Sequence, residues 1–271
     1  MLKQIQHRSL DISYRIEGPA TEPAIVLIHG YAEDGALWEQ QLPFLQKKYL
    51  VLVPDLPGCG RSSAAPDDLT IEDCADTIAA LLEAEKIPGC TMIGHSMGGY
   101  ITLAFAERHS DRLQAAGLFH STAFPDTEEK IANRRKSIEF IRRNGSAPFI
   151  RQSTPNLFAE TTRNDRPDLI AKWIDRYTGF EPASLIAYYE AMINRPDRTA
   201  ILRSFIRPFL FIAGGQDNAV PLPSLLQQSY MPSLSFFHIL DRAGHMGMIE
   251  EPEYSNQLLD NFLTNTKIYH E

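Results

Sequence analysis

The apolar positions of this chain change period as it runs. From residue 3 to 17 they alternate, with Ile5 and His7, then Ile12, Tyr14 and Ile16. That period predicts two antiparallel strands, closed by Glu17-Gly18-Pro19. Ala24-Ile-Val-Leu-Ile28 is instead a continuous apolar run, the mark of a strand covered on both faces. Leu37, Trp38, Gln41, Leu42 and Leu45 then fall at helical spacing and predict a helix from about Ala36 to Gln46. Tyr49 to Val53 reads as the next strand, and Thr70-Ile-Glu-Asp73 as a capping box opening a helix that stops near Pro88-Gly89. A short apolar run leads to Ser96, a helix follows to about His109, and Ala115 to His120 is the next strand. Alternation of this kind predicts an α/β fold with a mainly parallel sheet and helices on both faces.

The rhythm breaks after Ser121. Residues 122–205 hold helical patterns without a convincing strand, and strands return only at Pro208 to Ala213 and Ser235 to Leu240, before a last helix from about Pro252 to Leu263. The expected organisation is a core of residues 1–121 and 206–271 interrupted by a helical cap at 122–205. Trp173, Tyr177, Phe180, Tyr188, Tyr189 and Met192 supply its large apolar groups, as cap core or as walls of an acyl pocket. The basic run from Arg134 to Arg143 is interleaved with acids such as Glu139 and reads as a solvated helix face.

Composition narrows the partners. Lys and Arg number 26 against 34 Asp and Glu, and the net charge of −8 opposes polyanions, so neither nucleic acid nor a membrane surface is expected. The three cysteines, Cys59, Cys74 and Cys90, form no metal-ligand spacing and read as small buried hydrophobes in a reducing compartment. The first ten residues lack a signal-peptide core, no apolar run reaches the roughly 18 residues of a membrane span, and the expectation is a cytoplasmic protein. Oligomeric state is not legible.

The chemistry centres on Gly94-His95-Ser96-Met97-Gly98, a G-x-S-x-G segment between a strand and a helix. A serine on so sharp a turn needs neighbours without a Cβ two residues away on either side. It also leaves the backbone N–H of Met97 at a helix start, aimed at any oxyanion forming there. Chance supplies such a match in roughly one chain of this length in ten, given ordinary Gly and Ser frequencies, so other segments must carry the reading. A serine hydroxyl needs a general base and a group to hold that base in the right tautomer. Asp217, after a strand, and His245, after the last strand, open at the same carboxyl edge as Ser96. Asp241 is the rival for the acid, disfavoured because it should fall at the end of the last strand.

The chain order Ser96, Asp217, His245 is that of the α/β-hydrolase superfamily, and the chain resembles that family in five segments. These are His29-Gly30-Tyr31, Asp55-Leu-Pro-Gly-Cys-Gly-Arg-Ser62, Gly94 to Gly99, Gly214-Gly-Gln-Asp217 and Gly244-His245. The resemblance implies Ser96 as nucleophile, His245 as base and then acid, Asp217 as orienting carboxylate, and the N–H groups of Tyr31 and Met97 as the oxyanion hole. His29 and Gly30 would shape the oxyanion loop, His95 would pack or bond locally, and His120 would face either the pocket or a neighbouring backbone group. The expected activity is hydrolysis of a small, largely apolar carboxylic ester, thioester or lactone, with no cofactor and no metal. The alternatives are other reactions of the same triad, such as carbon-carbon bond hydrolysis, perhydrolysis or lyase chemistry, or a ligand receptor built on the fold.

Overall fold

The computed structural model describes residues 1–267. Eight strands form one sheet in the order β1-β2-β4-β3-β5-β6-β7-β8. They are β1 (Leu2–His7), β2 (Leu10–Glu17), β3 (Ala24–Ile28), β4 (Leu50–Pro54), β5 (Cys90–His95), β6 (Leu113–Phe119), β7 (Pro208–Gly214) and β8 (Leu234–Leu240). The alternating segments form the antiparallel edge, with β1 on β2 and β2 on β4, and the remaining pairs are parallel. Every residue of β3, β4, β5 and β7 is buried, which is why those strands are largely apolar, with Thr91 and His95 of β5 as the polar exceptions.

The core helices flank this sheet. They are α1 (Leu42–Leu45), α2 (Ile71–Ala84) and α3 (Met97–Arg108). The capping box of α2 closes in both directions: Asp73 N–H donates to Thr70 Oγ1 at 3.0 Å, and Thr70 N–H donates to Asp73 Oδ2 at 3.1 Å. One element departs from its periodicity. The expected helix from Ala36 to Gln46 is a 3-10 turn at Gly35–Trp38 followed by the single turn α1. Pro43 lacks an N–H and its ring crowds the carbonyl four residues back, so a continuous helix cannot pass through it.

Between β6 and β7 the chain is helical, with no strand among the described residues. This insertion comprises α4 (Glu128–Asn144), α5 (Ser146–Ser153), α6 (Glu160–Asp165), α7 (Pro167–Tyr177), α8 (Pro182–Asn194) and α9 (Thr199–Ser204). Thr127 caps α4 by accepting from Lys130 N–H, and α4 packs on α5 and α8. Polar ties fasten the insertion to the sheet end. Tyr188 Oη donates to Pro57 O at 2.7 Å, Tyr177 Oη to Asp34 Oδ1 at 3.0 Å, and His245 N–H to Leu157 O at 2.7 Å. After β7 come α10 (Leu222–Leu226), α11 (Gly247–Glu250) and α12 (Pro252–Lys267). No described helix is long and apolar enough to cross a membrane. Cys59, Cys74 and Cys90 are free and buried.

Candidate active site

Ser96 stands between β5 and α3 with φ 50° and ψ −115°, a left-handed backbone that costs energy in any residue with a Cβ. Packing around it leaves no alternative. A Cβ on Gly94 would lie 2.1 Å from Gly98 O, and one on Gly98 would lie 2.5 Å from Ile28 O. Both contacts are with backbone, so only glycine lets the strand, the turn and the helix approach this closely. Ser96 N–H donates to Phe119 O at 3.0 Å, and Ser121 Oγ donates to Ser96 O at 2.6 Å, which pins the turn to β6. Met97, the first residue of α3, has a backbone N–H without an intrahelical partner.

Asp217 and His245 meet beside this turn. The two lie on loops after β7 and β8, and His245 Nδ1 donates to Asp217 Oδ2 at 2.8 Å with both residues buried. Ser96 and His245 line one cavity of about 300 Å³ at the carboxyl edge of the parallel strands. No hydrogen bond joins Ser96 Oγ to His245 among the described residues. Tyr31 lines the same cavity on the side of β3. A larger groove, about 840 Å³, opens at the amino edge of the strands beside Ala24, Leu50 and Thr91, remote from these groups.

The other donors of Asp217 explain its charge state. Oδ1 accepts from Ala219 N–H at 2.8 Å and Val220 N–H at 2.9 Å, while Oδ2 also faces His120 Nδ1 at 3.3 Å. Burial alone would raise the Asp217 pKa, but His245, His120 and these bonds prevail and hold it far below the usual carboxylate range. His120 is fully buried with φ 51°, and its Nε2 accepts Gly247 N–H at 3.1 Å. An Nε2 that accepts leaves the proton on Nδ1, directed at Asp217. Burial, outweighing the attraction of Asp217, pushes the His120 pKa down to about 4, so the ring is neutral near pH 7. His120, Asp217 and His245 are the one group among the described residues whose possible metal-ligand atoms lie within 4.8 Å of one another. The tautomers place a proton on each imidazole nitrogen facing Asp217, but only His245 hydrogen-bonds to it; His120 Nδ1, 3.3 Å away, is buried without a hydrogen-bond partner among the described residues.

The remaining expected positions are accounted for one by one. His29 Nε2 accepts Leu56 N–H at 3.1 Å, so its Nδ1 carries the proton and donates to Gly30 O at 2.8 Å. It ties the loop after β3 to the turn after β4 and does not line the cavity. Gly30 N–H donates to Glu33 Oε2 at 2.8 Å. His95 is held at both ends, by Glu33 Oε2 at 3.0 Å and by His245 O at 2.9 Å. Burial would lower the His95 pKa, yet Glu33 prevails and raises it, and the same pairing lowers the Glu33 pKa. The Glu33–His95 pair thus links the loop after β3 to the backbone of His245. Asp241 is exposed just past β8, away from His245 Nδ1. Among the cap aromatics, Trp173, Tyr177 and Tyr189 line the cavity, whereas Tyr188 packs elsewhere, on Pro57 O.

One sequence expectation is corrected. Arg135, Lys136, Arg142 and Arg143 are exposed as a solvated face requires, but Arg134 turns inward and lines the cavity, as does Lys130. Lys130, Asn133, Arg134 and Ser137 recur at helical spacing and put one stripe of α4 on the cavity. That stripe was readable as periodicity; its direction depended on how α4 packs. Glu250 was also missed. Its carboxylate accepts from Gly244 N–H and Ala159 N–H, both at 2.8 Å, and from Thr162 Oγ1 at 2.7 Å, binding the His245 loop to the cap.

With this geometry in place, comparison with known proteins is decisive for the family. The alpha/beta hydrolase fold family matches residues 23–252. The chain belongs to the α/β-hydrolase family. Among curated proteins, 3-oxoadipate enol-lactonase 2 of Acinetobacter baylyi is 24% identical over 258 residues, spanning 92% of this chain and 91% of that protein. The pimeloyl-[acyl-carrier protein] methyl ester esterase of Aeromonas hydrophila is 25% identical over 259 residues, spanning 93% and 100%. A solved thermophilic esterase from Thermogutta terrifontis superposes with a TM-score of 0.91 at 29% identity, covering 98% of this chain and 99% of that one. The protein is thus an α/β-hydrolase with esterase- and lactonase-like relatives.

Proposed function

We propose that this α/β-hydrolase cleaves a small carboxylic ester, thioester or lactone through an acyl-enzyme on Ser96. The observation that carries the reading is the 2.8 Å Asp217–His245 bond in the wall of the cavity that holds Ser96. His245 Nε2 takes the Ser96 proton as Oγ attacks the carbonyl carbon, and the N–H groups of Met97 and Tyr31 receive the oxyanion. Collapse of the tetrahedral intermediate expels the alcohol, thiol or ring oxygen, which takes that proton from His245. Water, deprotonated by His245, then releases the acid and restores Ser96. Asp217 keeps the His245 proton on Nδ1, so that Nε2 is free to act as base. The cavity, about 300 Å³, suits a small acyl group. Relatives named for methyl ester and enol-lactone cleavage support the bond type.

The test is hydrolysis of short p-nitrophenyl esters by the purified protein. Turnover is expected, and Ser96→Ala should lower kcat by roughly 10⁴- to 10⁶-fold. Full activity in that variant would overturn the reading.

A further inference from the structure

We infer that the substrate carries a carboxylate on its acyl side, received by Lys130 and Arg134 on the α4 wall of the cavity. The inference rests on the ester or lactone reading above and adds a charge to it.

Two cations on α4 line this cavity, Arg134 with its guanidinium 5.5 Å from the Tyr189 ring centroid, and carboxylates compensate them incompletely. Lys130 Nζ donates to Ala219 O at 2.9 Å, a neutral partner. Arg134 uses Nε and Nη2 on Asp126, at 2.5 and 3.4 Å, which leaves Nη1 without a protein partner among the described residues. Asp126 is not spent on Arg134 alone. The same fully buried carboxylate binds Arg195 Nη2 at 2.9 Å, so one negative charge serves two guanidinium groups. Arg134 is 17% exposed at the side chain, while Arg195 is only 3% exposed and stacks on Tyr100. The cation left in excess therefore faces the cavity at Arg134.

The carboxylates nearby do not cancel this excess. Glu33 lines the cavity but is engaged by His95 and Gly30 N–H. Asp217 lies behind the Ala219 loop with its oxygens engaged by His245, Ala219 N–H and Val220 N–H, and with His120 Nδ1 in contact at 3.3 Å. Lys130, Arg134 and Arg195 thus stand against Asp126 and Asp217, three cations against two saturated carboxylates. An excess of one charge matches a monocarboxylate better than a phosphate dianion. Asn133 and Ser137 on the same stripe add neutral donors. A carboxylate reaching Lys130 would meet a strongly hydrated point charge, while Arg134 Nη1 offers a fixed second donor.

Two substrates of one acyl length separate the possibilities: monomethyl adipate, whose far end is ionised, and methyl hexanoate, whose far end is a methyl group. Each reaction consumes one water and yields methanol and the acid. At low salt the wild-type kcat/KM should favour the monoanion by about tenfold, carried by KM, and the preference should shrink as salt rises. In Lys130→Met and Lys130→Gln the ratio of the two kcat/KM values should fall toward one. In Lys130→Glu it should drop below one, with methyl 6-aminohexanoate now preferred. Equal or higher kcat/KM for methyl hexanoate in the wild type would overturn the carboxylate inference and leave the ester-hydrolase reading standing. Hydrolysis of no ester, neutral or anionic, would overturn both.

Discussion

The cavity has two walls made by different means. One is the carboxyl edge of the sheet, where Ser96, Asp217 and His245 sit at strand ends and are aimed by backbone: a left-handed turn, two glycines and a loop whose N–H groups fill Asp217. The other is the cap, where Phe149, Trp173 and Tyr189 are aimed by helix packing, and Lys130 and Arg134 by that packing and by side-chain bonds to Ala219 O and Asp126. In the proposed mechanism the backbone-aimed groups tolerate little and set whether a bond is cleaved. The cap groups can be exchanged more freely, and in that mechanism they set which acyl group is presented.

If that division is right, substitutions at the sheet edge should have large effects on turnover whatever the substrate, and substitutions in the cap smaller ones that depend on it. Asp217→Asn should lower kcat by about 10⁴-fold with KM little changed, because His245 then favours the wrong tautomer. A loss under tenfold, read from steady-state kinetics, would remove Asp217 from the edge machinery.

His120→Asn comes next. It removes the second imidazole facing Asp217, at 3.3 Å, and kcat should fall about tenfold, well short of the loss expected for Asp217→Asn. The same variant carries a stability signature. The folded His120 titrates at about 4 rather than 6.5 because burial disfavours its charged form. As pH falls below 6.5 the unfolded chain takes up a proton that the folded chain refuses, so native stability should decline between pH 6.5 and 4, by about 3 kcal/mol from this group. Denaturant unfolding at each pH should show a shallower decline in the variant; identical slopes would contradict the buried neutral ring.

The smallest effect belongs to the cap. Phe149→Leu enlarges the apolar part of the cavity, and the kcat/KM ratio for hexanoate over acetate p-nitrophenyl esters should shift about threefold toward the longer chain. A uniform drop for all chain lengths would instead assign Phe149 to the edge.

The same division explains what was legible in the sequence. Ser96, Gly94 and Gly98 were readable because a strained turn restricts residue types at fixed spacing. Asp217 and His245 were readable because parallel topology sends the loops after consecutive strands to one edge. The break at Pro43 follows from the residue itself, though apolar periodicity carried across it. Arg134 reads as solvated because acids such as Glu139 interleave its basic run, and no local pattern says which side of a polar helix meets a cavity. His120 was left between pocket and backbone. Its Gly247 bond comes from a residue 127 positions away, a separation that periodicity cannot span. Glu33 and Glu250 escaped for the same reason, their partners lying on loops that only the fold brings together.

In the proposed mechanism the cavity presents one activated serine, Ser96. Rapid quenching of the protein with p-nitrophenyl acetate, followed by peptide mass mapping, tests this most directly. The prediction is a single acetyl group on the peptide bearing Ser96, absent from Ser96→Ala and diminished in Asp217→Asn. Acetylation that persists in Ser96→Ala, or turnover that leaves Ser96 unmodified throughout, would contradict it.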